Sequence, residues 1–364
     1  KYRGLAPHKF TPMTGVHKAY DLPENPAGQS HARSQQNIKQ QKGAYMAINL
    51  DKPNRWKSDI ILSVDMYNNW FMEFAPVAFR STRIQTTVDV ETALKLTGNL
   101  TNIKPVILRE HPEILPTLRM STCPPLAVDR LIGLAGISSS MVKRMEGKKL
   151  PTRMADTAVE EELVKIGSII RKMADPDIFV WLDRKTAPTD TEVHRAATIV
   201  ADRLCGSVAN PIIRNAQEKR QLAAIKTWLE ARGYKQLSPG DGTRFDAMTA
   251  GTFSFRMNVP VKQEGGVRNV NIPVDAVIMP MLAKPNQLPL FFEAKSAGDF
   301  TNTNKRRKEE AVKMTQLRST YGKKVRFNLF LCGYFDSGYL GYEAAEGIDW
   351  VWEHRIDDLS LFGI

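Results

Sequence analysis

Between Asn271 and Lys295 the chain reads NIPVDAVIMP, a ten-residue connection, then FFEAK. Few folds accommodate this stretch. Val270, Ile272, Val274, Ala276 and Ile278 alternate with Asn271, Pro273 and Asp275. Leu290, Phe292 and Ala294 alternate with Phe291, Glu293 and Lys295. Alternation with period two marks β-strands, in which side chains two apart share a face. Glu293 and Lys295 therefore project together, about 6.5–7 Å apart at the backbone, while Ala294 turns toward the core. Two such strands side by side bring Asp275, Glu293 and Lys295 to one point. A carboxylate and an ammonium on a buried strand are costly without partners or a task; on an exposed strand they form an ion pair worth little.

The segment Pro273-Val274-Asp275 followed by Glu293-Ala294-Lys295 resembles the PD-(D/E)xK nuclease signature. One residue stands between the proline and the aspartate where the common form has none. The surrounding chain is of a size and charge that suit a nuclease. Its 364 residues allow two domains, and 42% hydrophobic with 25% charged residues is an ordinary globular composition. Lys and Arg number 51 against 39 Asp and Glu, a formal charge of +12, which favours a polyanionic partner, with nucleic acid first. Cys123, Cys205 and Cys332 are the only cysteines, far apart and outside any CxxC. They argue against zinc and a disulfide framework and fit a reducing, cytoplasmic compartment. No apolar run reaches membrane-spanning length and no signal peptide opens the chain.

Residues 1–45 are polar, without period, and read as a disordered arm or a non-native extension ahead of a natural start at Met46. Residues 46–206 read as a mainly helical N-terminal domain. Ile61, Val64, Tyr67, Phe71 and Phe74 predict a helix ending before Pro76, with a shorter helix near Val88–Leu94. PLAVDRLIGLAGISSSMVKRMEGKKLP, residues 125–151, resembles a helix-turn-helix with its turn at Gly136 and an N-cap at Ser138 or Ser139. Lys143 and Arg144 would face outward and contact DNA if the second helix enters the major groove; any basic helical hairpin has the same pattern. Val159, Leu163, Ile166 and Ile170 mark another helix, and IFVWL after it is strand-like. DTEVHRAATIVADRLCG reads as a helix closed by Gly206, with His194 among surface charges.

Residues 207–364 form the predicted nuclease domain. Asn210-Pro211 opens a helix that ends at Gly233. Stepping back from Leu222 along its apolar stripe places Glu218 on the buried face, where a carboxylate is paired, capped or metal-bound. Three strands follow, with turns at Gly265-Gly266 and Lys284–Asn286, then a helix capped by Asn302 or Asn304 and ended by Gly322, then an apolar strand from Val325. Ala311, Met314, Leu317 and Tyr321 face inward on that helix. Lys305, Arg306, Arg307 and Lys308 crowd its first turn, where the helix dipole disfavours cations unless phosphates neutralise them. Ile348, Trp350 and Trp352 alternate in a last strand, the tryptophans as core.

Helix–β–β–β–helix–β is the order of the PD-(D/E)xK core. The expected fold class is therefore α/β (α+β): a restriction-endonuclease-like core with a central mixed sheet flanked by helices, beside the helical N-terminal domain. EAKSAGDFTNTNKRRKEEAVKMTQLR and GYFDSGYLGYEAAEGIDWVWEHRIDDL resemble the XamI family of type II restriction endonucleases. The resemblance implies a homodimer that cuts palindromic double-stranded DNA at GTCGAC, with a cognate methyltransferase acting on the same site. It implies Mg²⁺ held by Asp275, Glu293 and the Ala294 carbonyl, with Lys295 on the attacking water and Glu218 on a second metal or a ligand water. Burial should lower the pKa of Lys295. Asn302, Thr303, Asn304, Lys305, Arg306 and Arg307 lie just past the metal strand, where they can meet bases or phosphates. Two alternatives share these features: a structure-specific repair or junction nuclease, and a non-catalytic helix-turn-helix regulator.

Overall fold

The computed structural model describes residues 47–184, 186–238, 242–263, 269–301 and 303–364, and the backbone alone of 304–306. The arm at 1–45, the Gly265-Gly266 turn and Asn302 lie outside the described residues. Nine helices are described: α1 Pro53–Leu96, α2 Pro105–Glu110, α3 Leu115–Met120, α4 Val128–Ala135, α5 Ser139–Glu146, α6 Asp156–Met173, α7 Asp190–Glu230, α8 Thr303–Tyr321 and α9 Ser337–Ala345. Six strands, β1 Lys235–Gln236, β2 Thr252–Lys262, β3 Asn269–Met279, β4 Leu290–Ala297, β5 Arg326–Gly333 and β6 Asp349–Trp352, lie side by side in sequence order. β2, β3 and β4 pair antiparallel, and β4, β5 and β6 pair parallel. A parallel pair needs a crossover; α8 supplies it between β4 and β5. No helix among the described residues is long and apolar enough to cross a membrane.

Alternation along the strands sorts side chains to the two faces of the sheet. Phe291, Leu329, Leu331, Trp350 and Trp352 pack with Met314 and Leu317 of α8 and Tyr339 and Leu340 of α9. Leu290, Phe292, Phe330 and Val351 pack with Leu222, Ile225 and Leu229 of α7. The tryptophans are fully buried, as expected. At Gly333 (φ +98°) β5 runs so close to β4 that a Cβ would stand 2.1 Å from the Ala297 carbonyl oxygen, which only glycine permits.

The helical region keeps its expected hairpin. Gly136 is left-handed (φ +58°), and the Ser138 hydroxyl accepts the Met141 amide at 3.1 Å. Leu131, Met141, Val142 and Met145 are buried, and Lys143 and Arg144 point out. Arg119 locks α5 by a bidentate pair with Glu146, at 2.8 and 2.9 Å.

Three expectations fail here. α1 runs through Pro76 and absorbs the separate helix expected near Val88. Its sheet-facing side is mixed: Trp56 and Ile60 pack on the sheet core, Ser63 Oγ accepts the Gly333 amide at 2.8 Å and Asp59 accepts from Arg355 at 2.8 Å, whereas Ile61 is exposed. α7 runs unbroken through Gly206 and Asn210-Pro211, opened by a Thr189–Glu192 capping box. An interior proline costs about 3 kcal/mol, but α7 buries Val200 and Leu204 in the N-terminal core and Leu222, Ile225, Trp228 and Leu229 beneath the sheet. At about 1.5–3 kcal/mol for each large apolar side chain, burial wins. IFVWL is a set of turns with Phe179 and Trp181 buried in the helical core; among the described residues no strand runs beside it to pair with. α7 thus crosses the expected domain boundary at 206/207, while one core ends at Leu204 and the two sheet cores gather residues beyond it, together with Ile48 and the partly buried Leu50, Trp56 and Ile60.

Candidate active site

β3 and β4 meet where their ladder ends. Ala276 faces Phe292, so Asp275 and Glu293 occupy the next facing pair, with Cβ atoms about 5 Å apart by strand geometry. The Ala294 amide donates to Asp275 Oδ2 at 2.9 Å. Lys295 Nζ donates to Glu293 Oε1 at 3.2 Å. The three sequence-predicted residues therefore share one face, toward α8. A local flip in the sheet helps bring Asp275 there. Val274 and Ala276 point into different cores although two apart, and so do Met257 and Phe255 on β2. Arg256, between them and opposite Asp275, is left-handed (φ +53°), a strain of about 1–3 kcal/mol for a non-glycine residue of the kind found at functional sites.

Several groups at the site have no counterpart in the sequence reading. Lys313 of α8 donates to Glu293 Oε1 at 2.6 Å and to the Pro273 carbonyl at 3.3 Å. Glu310, also on α8, stands 3.7 Å from Lys295 Nζ and accepts the Tyr339 hydroxyl at 2.7 Å. From the opposite face, Gln221 of α7 donates to the Lys295 carbonyl at 3.3 Å and to the Phe330 carbonyl at 3.2 Å. One signal was present for Glu310. It lies four residues before Met314 and seven before Leu317, on the stripe that packs inward.

Electrostatics distinguish the groups. Burial, then the Glu293 carboxylate, push the Asp275 carboxyl up to about 6. Burial also opposes the charge on Lys295, but Glu293 and Glu310 outweigh it and raise the pKa. The expected lowering is thus reversed, because a lysine among carboxylates is stabilised as ammonium. Burial, then Glu310, push Glu343 of α9 up to about 9.

Glu218 is not on the buried face of α7; Gln217 and Gln221 hold that position. Its half-exposed carboxylate binds Arg256 at 2.6 and 3.0 Å and contributes least to the rise at Asp275. The stripe from Leu222 pointed one residue off, because the buried part of α7 includes polar side chains: Gln217 donates to the Tyr67 hydroxyl and Gln221 to backbone carbonyls. Thr303 is buried, its hydroxyl donating to the Phe300 carbonyl at 2.9 Å. Arg307 stacks on the Tyr342 ring at 3.7 Å. The side chains of Asn304, Lys305 and Arg306 lie outside those described.

A hard divalent ion takes one or two carboxylates and fills its remaining positions with water and phosphate. Asp275 and Glu293 fit that demand. Glu293 Oε2 is buried without a hydrogen-bond partner, an orphaned carboxylate oxygen of the kind a cation satisfies. Among the described residues no group of three or more His, Cys, Asp or Glu is spaced to hold a metal.

A mixed sheet covered on both faces by helices, with two carboxylates and a lysine where its antiparallel and parallel halves join, defines a restriction-endonuclease-like core. The XamI restriction endonuclease model matches residues 98–352, and the chain belongs to that family. It is 52% identical over 316 residues to the Type II restriction enzyme SalI of Streptomyces albus G, covering 87% of this chain and 99% of that enzyme. It is therefore a type II site-specific deoxyribonuclease, which sets aside the regulator and the junction nuclease. The crystal structure of protein VC1899 from Vibrio cholerae aligns at 14% identity over 75% of this chain and 55% of that one, with a TM-score of 0.26, too low to carry an argument.

Proposed function

We propose that this restriction enzyme hydrolyses DNA phosphodiesters with Mg²⁺ held by Asp275, Glu293 and the Ala294 carbonyl, leaving 5′-phosphate and 3′-hydroxyl ends. The observation that carries the reading is the pairing of Glu293 with Lys295 at 3.2 Å beside Asp275 on the adjacent strand. When bound, Mg²⁺ supplies charge neutralisation at the phosphoryl oxygens and the leaving 3′ oxygen. Lys295, kept as an ammonium by Glu293 and Glu310, acts through Nζ by holding the attacking water and the phosphoryl charge; it takes the water's proton only after passing its own to solvent. Asp275 must be ionised to serve as a ligand. Glu218 has a supporting role at a second metal or a ligand water, once Arg256 releases it.

The start of α8, with Asn302, Thr303, Asn304, Lys305, Arg306 and Arg307, is the proposed DNA-facing segment, with Thr303 contributing by packing. Lys143 and Arg144 are a second basic contact. The target is proposed as GTCGAC, cut by a cytoplasmic homodimer, as the family resemblance implies; a methyltransferase modifying the same sequence would protect host DNA.

Purified protein and Mg²⁺ on a plasmid of known sequence test the reading. Discrete fragments ending at GTCGAC are expected, and cleavage elsewhere overturns the site assignment. Lys295→Ala should lose cutting by at least about 10³-fold while binding DNA as before. A Lys295→Ala protein that still cuts at full rate overturns the catalytic assignment.

A further inference from the structure

Lys295 faces two carboxylates, and the mechanism above uses only one. Its Nζ is 3.2 Å from Glu293 Oε1 and 3.7 Å from Glu310 Oε1. The Glu293 oxygen is shared: Lys313 approaches it at 2.6 Å. Glu310 comes from α8, is only 1% exposed, and has the Glu343 carboxyl of α9 in hydrogen-bond contact. Its Oε2 accepts the Tyr339 hydroxyl from α9. Among the described side chains, Lys295 is the only cation within ion-pair distance of Glu310. Beside it Glu343 is pushed up to about 9, so the buried charge of the pair rests on Glu310, which is costly without a cation; the cation it faces is the amine of the active site.

If Glu293 is committed to a divalent ion, it can no longer neutralise two ammonium groups. Lys295 then needs another anion to hold it. We propose that Glu310 is the positioning residue for Lys295: held by Tyr339, its carboxylate fixes the amine beside Glu293 from the α8 side. The inference rests on the reading of Lys295 as the reacting amine.

Glu310→Gln keeps the side-chain size and an acceptor for Tyr339 and removes the charge. Its single-turnover cleavage rate should fall by about 10- to 100-fold, the usual effect of losing a residue that orients another. DNA affinity without metal should stay within about two-fold of the parent, by the split between positioning and uniform binding. A second readout needs no metal. Labelling with an amine-reactive reagent at fixed pH, followed by peptide mass spectrometry, should show Lys295 several-fold more reactive in the variant. Tyr339→Phe should move both readouts the same way by less, and it carries the test if Glu310→Gln does not fold. Parent-like cleavage with unchanged Lys295 labelling overturns the proposal, as does a loss of cleavage matched by an equal loss of DNA affinity. Lys295→Ala separates the two levels. If that variant cuts, the reading of the site has failed; if it is inactive while Glu310→Gln behaves like the parent, only the inference has.

Discussion

Asp275 is where the pH dependence of this enzyme should originate. Its carboxyl is held up at about 6 by burial and Glu293, so protons compete with metal from that pH downward. Cleavage at limiting Mg²⁺ should drop as pH falls below about 6, and excess Mg²⁺ should move the drop to lower pH. The same shift has a stability sign. A carboxyl whose folded pKa lies above its unfolded value binds protons more tightly when folded, so its contribution is complete below about pH 4 and is lost as pH rises through about 6. Asp275→Asn should therefore raise the stability of the metal-free protein at pH 8 by up to about 3 kcal/mol, since the shift from 3.8 to about 6 is about two units of about 1.4 kcal/mol each, and leave it nearly unchanged near pH 4. Urea melts at the two pH values check this, and the variant should not cut. The pair Glu293 and Lys295 was legible from spacing alone. The direction of the Lys295 shift was not: Glu293, then Glu310 from a helix that the strand pattern does not position, outweigh burial.

Among the elements, α7 ties the site together. Gln221 spans two strands from the far face of the sheet, donating to the carbonyls of Lys295 and Phe330. Gln221→Leu should cost about 1–2 kcal/mol, the net worth of a buried hydrogen bond with some desolvation penalty, read as a lower urea midpoint, and should slow cleavage because Lys295 loses its backbone tether. The strands β2 to β6 were readable because period-two alternation and turn residues are local properties. Asn286, for instance, is left-handed within the turn expected there. The prolines misled for the opposite reason. Pro76 and Pro211 break a helix only when nothing else holds it, and here their neighbours Ala75 and Ala209 are buried and the Cys205 thiol of α7 donates to the Phe79 carbonyl of α1. IFVWL misled likewise: a β-favouring run needs a neighbouring strand.

At the scale of the whole molecule, the charge of +12 makes salt the natural probe. DNA affinity should fall steeply with ionic strength, since each neutralised phosphate contributes a slope of about −0.9 in log–log form. Lys143 and Arg144 are exposed on α5, away from the sheet site in sequence. If that hairpin lies on DNA, Lys143→Ala with Arg144→Ala should reduce the slope by about 2 and weaken binding equally for all sequences. An unchanged slope would confine DNA contact to other surfaces.

Residue order alone determined what depends on near neighbours: the strands that carry Asp275, Glu293 and Lys295, the shared face of the last two, the capped hairpin at Gly136 and Ser138, and the core role of Trp350 and Trp352. These follow from pleat, helix pitch and cap chemistry over a few residues. Tertiary structure alone decided that Lys313 and Glu310 reach the site, that Arg256 is turned to hold Glu218, and that one helix runs from the N-terminal core to beneath the sheet. Those contacts join positions roughly 15 to 110 residues apart, and only packing the helices onto the twisted sheet fixes which of them meet.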